Sequence, residues 1–356
     1  MILVYILAAI LIFGVLIAVH EFGHFAAAKL CGVRVNEFSL GMGPLIWHKE
    51  TGETQYSLRL LPIGGFCAME GEDESSSDER ALNRQGFFKQ LVIFAAGSFM
   101  NFLAGFLIIL ALYSGAAGFL IPAVAGAAPE FEQQNGQTLQ AGDIFYEING
   151  ERVYLYSDVS LLMGLRQGQP MDLVVLRDGE RVELNDITWG TYTGTEGETY
   201  QGYGIYIAQN QVEKATPWTV LKTSWLNTLD FVRIVRLSLQ MLVGGQAGVD
   251  DLSGPVGIVS TMTQVGAASE TIGDAVENIL YFGAMLAVNL AVMNMLPIPA
   301  LDGGKIFFLI IDEISMKLFR KKIPEKYETA VNTAGFVALM GFMLVVTFND
   351  VFKLFG

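Results

Sequence analysis

Four long apolar runs constrain the fold of this chain more than any other feature of its sequence. They cover Ile2–Val19, Leu91–Tyr113, Ile279–Leu296 and Ala330–Phe348. A transmembrane α-helix needs about 20 apolar residues to cross a hydrocarbon core of about 30 Å. The sequence therefore predicts a polytopic α-helical membrane protein with about four transmembrane helices. The first run lacks the basic flank of a secretory signal peptide, since the first basic residue other than histidine is Lys29, and we expect it to be retained as a span.

The composition supports this class of protein and excludes others. Hydrophobic residues make up 52% of the chain and charged residues only 16%, whereas soluble domains carry about 25% charged residues. The formal net charge of −14 argues against nucleic-acid binding, which needs a basic surface. The two cysteines, Cys31 and Cys67, cannot form a disulfide framework.

The distribution of basic residues predicts the orientation of the spans. Residues 29–89 contain seven Lys and Arg, and residues 301–328 contain six. Cytoplasmic loops are enriched in Lys and Arg, so both segments are predicted to be cytoplasmic. Both termini and residues 114–277 are then extracytoplasmic. That central region contains 20 acidic and only eight basic residues, which agrees with this orientation.

The central region also changes to the composition of a soluble domain. Two strand-like runs, Ile144–Ile148 and Met171–Arg177, are followed by Asn149-Gly150 and Asp178-Gly179. Such dipeptides between apolar runs are strong hairpin signals. The sequence therefore predicts one small β-rich domain between the second and third spans.

Two helices are predicted in the same region. Ser160–Leu165 is expected to be a short helix between strands, and Trp218–Leu242 has one apolar helical face. The longer helix either lies at the membrane surface or packs on the soluble domain. The predicted organisation is an N-terminal membrane core (1–113), an extracytoplasmic domain (114–213), an amphipathic connection (214–277) and a C-terminal membrane core (278–356).

A metal-binding pattern lies at the end of the first apolar run. It is the segment His20-Glu21-Phe22-Gly23-His24. On a helix, residues four apart share one face, so both imidazoles can bind one Zn²⁺ while the intervening Glu reaches a metal-bound water. Glu21 is costly in an otherwise apolar span unless it has a partner, which favours the functional interpretation.

A catalytic zinc needs a third protein ligand and an open position. His48 lies in a polar stretch and is a poor candidate, and Glu50 and Glu53 lie in turn-like sequence. The better candidate is Asp302, in the Pro-containing segment Asn294–Gly304 that closes the third run. Broken backbone at membrane depth is tolerated only when it is buried in protein or lines a cavity. The alternative is that Asp302 is a loop acid just outside the membrane.

Several segments together resemble the bacterial site-2 proteases of the RseP/RasP type, which are intramembrane zinc metalloproteases. The matching segments run in family order over nearly the whole chain: His20–His24, Gly41–Pro44, Pro62–Phe66, Ala96–Phe102, Leu252–Ile258 and Asn294–Gly304. The resemblance implies that His20, His24 and Asp302 bind zinc. It also implies that Glu21 is the general base for the zinc-bound water and then passes the proton to the leaving amine.

The resemblance implies substrate-binding residues as well. Gly64, Gly65 and Phe66 would belong to a membrane-associated β-hairpin that helps to hold the substrate as an extended strand. Asn294 would contact the opened substrate backbone or the developing oxyanion, and Asn101 would support it. Either Asn could instead be only a hydrogen-bonding residue in helix packing.

The family also implies a location and partners. The expected location is the bacterial cytoplasmic (inner) membrane, with the active site toward the cytoplasm. Expected substrates are single-pass membrane proteins, such as anti-sigma factors or remnant signal peptides, and an upstream site-1 protease is a candidate partner whose prior cut the sequence does not decide. The segment Ala141–Gly150 resembles the core motif of a PDZ domain, which would bind peptides by strand addition or exclude bulky ectodomains.

Two other functions remain open at the level of sequence. One is a non-catalytic membrane scaffold that uses the PDZ-like domain to bind partners. It gives no role to Glu21, because a structural zinc needs no base. The other is a conventional zinc protease tethered by one span. Its third ligand would lie in the outer domain, which the charge distribution places across the membrane from His24.

Overall fold

The computed structural model describes residues 2–72, 76–194, 197–321 and 324–355. The chain divides into two compact units. The first, which we call the membrane unit, combines Met1–Ile109 with Phe231–Gly356, and the second, the inserted unit, is Leu110–Asp230.

The N-terminal part of the membrane unit consists of two long helices separated by a β-hairpin. The elements are α1 (Ile2–Cys31), β1 (Val35–Thr51), β2 (Thr54–Met69) and α2 (Phe87–Tyr113). Helix α1 continues well beyond the apolar run that predicted it, so the whole His20–His24 segment is helical. Buried apolar residues of α1, α2 and both strands form one core cluster, whose α1 residues follow this segment in the helix.

The β-hairpin is folded over on itself. At its base Val35 lies opposite Met69, and at its turn Thr51 lies opposite Thr54. Residues 37–40 face residues 65–68 on one side and residues 55–58 on the other. The bends that make this possible contain the positive-φ glycines Gly41, Gly43 and Gly64, a conformation that glycine adopts at no steric cost. As a result, residues 65–69 form one edge of a small sheet and residues 45–51 the other.

The inserted unit is rich in short strands. Its elements are β3 (Gly118–Leu120), β4 (Val124–Ala127), α3 (Phe131–Asn135), β5 (Ile144–Ile148), β6 (Glu151–Arg152), α4 (Tyr156–Gly164), β7 (Met171–Arg177), β8 (Glu180–Ile187), β9 (Gly190–Thr193), β10 (Thr199–Gly202), β11 (Ile205–Ile207) and β12 (Val212–Lys214). Four strands form a sheet in the order β6-β5-β7-β8, and the others form the pairs β10-β9, β11-β4 and β12-β3.

The predicted strands and turns of this unit agree with the structure. The predicted strands are β5 and β7, and both Asn149-Gly150 and Asp178-Gly179 have positive φ at each residue, as type I′ hairpin turns require. Helix α4 begins at Tyr156, four residues before the predicted start, because Asp158 accepts hydrogen bonds from the backbone N–H groups of Tyr154 and Leu155 and so caps its first turn.

A buried ion pair lies inside the inserted unit. The Asp143 carboxylate, 1% exposed, accepts hydrogen bonds from Arg177 Nε at 2.9 Å and Arg177 Nη2 at 2.7 Å. It also accepts one from the backbone N–H of Gln140. Burial disfavours the ionised carboxylate, but these hydrogen bonds outweigh it and hold the pKa of Asp143 below its ordinary value. Asp143 of the predicted PDZ-like motif therefore has a structural role.

The remaining helices complete the chain. They are α5 (Pro217–Val243), α6 (Pro255–Ala268), α7 (Ile272–Asn294), α8 (Asp302–Phe319) and α9 (Glu325–Phe355). The predicted amphipathic helix is α5, which crosses the boundary between the two units. Helix α7 starts seven residues before the predicted third span, because Thr271 and Asp274 form a capping box at Thr271.

Among the residues that the structure describes, four helices are long and apolar enough to cross a membrane, as the sequence predicts. They are Leu3–Cys31, Phe87–Tyr113, Ile272–Asn294 and Lys326–Lys353. Helix α1 packs against α6 and α7 through a second apolar core cluster that includes Leu16. The His20–His24 segment therefore lies on α1 between this cluster and the one at the base of the hairpin.

Candidate functional site

The site begins where α1 and α2 come into close contact. Gly23 and Gly97 permit this approach, since a Cβ on Gly23 would overlap the backbone of Ala96. On the same part of α1, His20 and His24 lie one turn apart with ring centroids separated by 4.8 Å. The backbone of Gly97 lies against both rings, because a Cβ there would be 2.7 Å from His20 Cε1 and closer still to His24 Nε2.

The hydrogen bonds of His24 define which of its nitrogens faces the site. Its Nδ1 lies 2.8 Å from the backbone carbonyl oxygen of Ile93 on α2. A carbonyl oxygen only accepts hydrogen bonds, so Nδ1 carries the proton and Nε2 presents a lone pair. A metal-binding imidazole needs this tautomer and this kind of support.

Asp302 completes the cluster from the first residue of α8. The glycines that follow it pack directly on the broken segment before it. A Cβ on Gly303 would overlap the carbonyl oxygen of Leu296, and a Cβ on Gly304 would overlap that of Ile298. Neither position accepts a side chain without displacing backbone, so the two glycines fix where Asp302 can lie.

Helix α9 supports the same broken segment. Ala300 has a φ of 72°, a left-handed conformation that is unusual for a residue other than glycine. Its backbone N–H lies 3.4 Å from Asn332 Oδ1 of α9. Gly335, one turn further along α9, approaches the ring of Pro299 so closely that a Cβ there would overlap it. The loop that carries Asp302 is therefore held from two sides.

The three donor atoms form a nearly equilateral triangle. His20 Nε2 and His24 Nε2 are 3.2 Å apart, and Asp302 Oδ2 lies 3.2 Å from the first and 3.3 Å from the second. With metal–ligand bonds of about 2.0–2.1 Å, two ligands in a tetrahedral zinc site are about 3.3 Å apart. The spacing of the donor atoms thus fits three corners of a zinc tetrahedron.

Burial and charge agree with a metal centre. The side chains of His20, His24 and Asp302 are only 11%, 8% and 13% exposed. Asp302 Oδ2 is buried without a hydrogen-bond partner in the described part of the chain. A buried anionic oxygen facing two imidazole nitrogens fits a divalent cation.

The edge of the folded hairpin lies beside Glu21, which is half-buried on α1. A Cβ on Gly65 would be 3.4 Å from Glu21 Cγ and 3.7 Å from Ile17. Gly64, with a φ of 91°, bends the chain just before this contact. Phe66 lies opposite Ser39 in the sheet, and the Arg59 guanidinium lies 5.2 Å from the centre of its ring. The structure thus places the predicted hairpin residues beside Glu21, the predicted general base.

The two predicted asparagines lie at different places. Asn101, on α2, is 1% exposed and its Nδ2 is 3.4 Å from His20 Nδ1. Asn294 is the last residue of α7 and is half-buried, at the start of the segment that leads to Asp302. Their predicted contacts with substrate remain predictions.

Sequence reasoning missed a link between the hairpin and the Asp302 helix. Lys305 Nζ of α8 donates a hydrogen bond to Glu72 Oε1 at 2.6 Å. Glu72 Oε2 in turn accepts one from the backbone N–H of Met69, the last residue of the hairpin edge. The only sequence signal for this link is that Lys305 lies one helical turn after Asp302. Gly97 was also missed, since a glycine in an apolar helix shows only that close packing is possible.

Comparisons with known proteins identify relatives of the whole chain. The family model described as Peptidase family M50 matches residues 8–342. A protein of Clostridium perfringens named as a zinc metalloprotease is 37% identical over 348 residues, which cover 98% of each chain. A Fusobacterium nucleatum protein with the same type of name is 30% identical over 98% of this chain and 99% of its own. The Bacillus subtilis regulator of sigma-W protease, RasP, is 28% identical over 98% of this chain and 99% of its own.

Proposed function

This chain belongs to peptidase family M50, the zinc metalloproteases of site-2 type, and we propose that it cuts peptide bonds within or near the transmembrane segments of single-pass proteins. One observation carries the proposal. Two imidazole nitrogens and one carboxylate oxygen, all within 3.2–3.3 Å of one another, meet on α1 and α8 with a glutamate between the two histidines.

The proposed zinc ligands are His20, His24 and Asp302. Three protein ligands leave one position of a tetrahedral site open, which is typical of a catalytic rather than a structural zinc. When bound, zinc lowers the pKa of a coordinated water and polarises a carbonyl oxygen. The chain supplies the remaining chemistry.

Glu21 is the proposed proton carrier. It is adjacent to His20 on α1 and lies against the backbone of Gly65. Its carboxylate takes a proton from the attacking water and delivers it to the nitrogen of the leaving amine. This role needs a carboxylate between the metal ligands and the substrate, and it gives a reason to keep a glutamate inside an apolar span.

The hairpin edge, residues 65–69, is the proposed docking strand for the substrate. In a membrane helix every peptide group is hydrogen-bonded internally, so its peptide bonds are shielded until the helix unwinds. An extended substrate segment regains its hydrogen bonds when it pairs with a free strand edge. Residue 65 of this edge is beside Glu21, so the paired segment would pass the proposed metal site, and Asn294 is a proposed further contact.

The proposed orientation follows from the basic residues. The hairpin and residues 301–328 are cytoplasmic, and both termini and the inserted unit, as a PDZ-like domain, are outside. Anti-sigma factors or remnant signal peptides are proposed substrates, after a first cut by another protease. The name of the Bacillus subtilis relative, regulator of sigma-W protease, supports the first class.

A reconstituted cleavage assay tests the proposal. Purified full-length protein in proteoliposomes is mixed with a single-pass substrate, and zinc content is measured on the same samples for wild type, Glu21→Gln and Asp302→Asn. We expect Glu21→Gln to retain zinc and lose cleavage, and Asp302→Asn to lose both. Cleavage by Glu21→Gln at the wild-type rate would refute the catalytic role of Glu21, whereas absence of cleavage by wild type would favour a scaffold function.

A further inference from the structure

The carboxamide of Asn101 is the most unusual polar group near the metal site. It is 1% exposed and lies on α2, behind the ring of His20 as seen from Asp302. Its Nδ2 is 3.4 Å from His20 Nδ1, while its Oδ1 is buried with no partner in the described part of the chain. A buried carbonyl oxygen without a hydrogen bond destabilises the folded state.

The position of the proton on His20 determines which atom of the Asn101 amide should face the ring. His20 Nε2 faces Asp302 Oδ2 and His24 Nε2, so it is the nitrogen that would bind zinc. A neutral imidazole with its Nε2 lone pair on a metal carries its proton on Nδ1. When Nδ2 of Asn101 faces His20, that N–H points at the NH₂ group of the amide, so two donors face each other. The oxygen and nitrogen of a carboxamide are nearly identical in shape, and their assignment depends on the hydrogen-bond network.

We propose that Asn101 is a positioning residue for zinc binding, and that its Oδ1 accepts a hydrogen bond from the Nδ1–H of His20. A half-turn of the amide provides this bond and gives the orphaned oxygen its partner. The inference rests on the proposed zinc site. It differs from the substrate contact that the sequence predicts for Asn101.

With this bond, the Nδ1–H group of each histidine donates to an acceptor on α2. His24 is already held by the carbonyl oxygen of Ile93 at 2.8 Å. With Asn101, each imidazole has its own acceptor, and both acceptors lie on α2, two helical turns apart. Such outer partners fix the tautomer and the ring orientation of a ligand, and their loss typically weakens metal binding by about 10–100-fold. Helix α2 would thus contribute no ligand but would set the direction of two.

Two substitutions separate this role from a structural one. Asn101→Leu keeps the branched shape and removes the acceptor, whereas Asn101→Asp keeps an acceptor and removes the donor. Ser98→Ala is the matched control, since Ser98 lies one turn earlier on α2, is 3% exposed and has an Oγ without a hydrogen-bond partner in the described residues. Zinc affinity of the full-length protein in detergent is measured by competition with a chelator, together with KM and kcat at saturating zinc.

We expect Asn101→Leu to bind zinc about 10–100-fold more weakly, and Asn101→Asp and Ser98→Ala to bind it as tightly as wild type. KM for the substrate should not change in any variant. Wild-type zinc affinity in Asn101→Leu with a raised KM would overturn the inference in favour of a substrate contact. Equal zinc loss in Asn101→Leu and Asn101→Asp would show that no acceptor is involved. Absence of cleavage by wild type would instead overturn the proposed function itself.

Discussion

The contact of Gly97 with the two imidazoles leads to a quantitative prediction for Gly97→Ala. The new methyl group would be 2.7 Å from His20 Cε1 and 2.9 Å from His20 Nδ1, where ordinary contacts begin at 3.4 Å. The rings must therefore move by at least about 0.7 Å, whereas zinc sites tolerate about ±0.2 Å in ligand distance. The helices cannot separate easily, because Gly23 is in equally close contact with Ala96.

We expect the displacement to weaken zinc binding by at least about 100-fold, which corresponds to about 2.7 kcal/mol. This is the upper end of the loss seen when only an outer partner of a ligand is removed. Helix propensity acts in the opposite direction, since Ala in place of Gly favours a helix interior by about 1 kcal/mol. A loss of zinc therefore cannot be attributed to a weaker helix.

The assay is zinc content and chelator competition on purified full-length protein, with monodispersity as the test of folding. Gly341→Ala is the control, since Gly341 lies in the candidate span of α9 with nothing within 4 Å of the added Cβ, and it should bind zinc like wild type. If Gly97→Ala also binds zinc with wild-type affinity, the packing of α2 against the ligands does not constrain the site and the reasoning is refuted.

Three further predictions concern other parts of the molecule. Lys305→Met should lower kcat/KM about tenfold, or about 1.4 kcal/mol, without loss of zinc. The change removes the partner of Glu72, whose other carboxylate oxygen holds Met69 at the end of the hairpin edge. Lys305→Glu combined with Glu72→Lys should recover part of the loss, and unchanged kinetics in Lys305→Met would contradict the link. Asp143→Asn should destabilise the inserted unit by about 1–3 kcal/mol, seen as faster proteolysis within residues 110–230 of the full chain. Because the folded-state pKa of Asp143 lies below its unfolded value of 3.8, this stabilisation is present above pH 3.8 and is lost as the pH falls through the folded-state pKa; resistance to proteolysis that does not fall on acidification would contradict it. Removal of metal by a chelator should abolish cleavage, and zinc should restore it, whereas cleavage that persists in metal-free protein would contradict a zinc mechanism.

The sequence predicted the features that depend on local pattern. The four spans, the helical His20–His24 segment and the turns at Asn149-Gly150 and Asp178-Gly179 each follow from composition or spacing within a short window. Asp302 was predicted from the cost of a carboxylate near the membrane together with the resemblance to a family. The structure then places its Oδ2 at 3.2 and 3.3 Å from the two imidazoles.

Features that depend on contacts between distant segments could not be predicted in this way. The double pairing of residues 37–40 requires a bend in each strand of a hairpin whose sequence reads as two ordinary strands. The ion pair between Glu72 and Lys305 joins residues 233 positions apart. Gly97 and Asn101 contact side chains of another helix, and hydrophobic periodicity carries no information on which helix that is.

The position of the scissile bond tests the central claim most directly. A single-pass substrate is cut in proteoliposomes, and the ends of both products are identified by mass spectrometry, with the Glu21→Gln variant as the blank. The proposed function predicts that both new ends fall within or next to the apolar segment of the substrate, and that neither is produced by Glu21→Gln. Ends that lie only in the soluble part of the substrate, or the same ends in the Glu21→Gln sample, would contradict it.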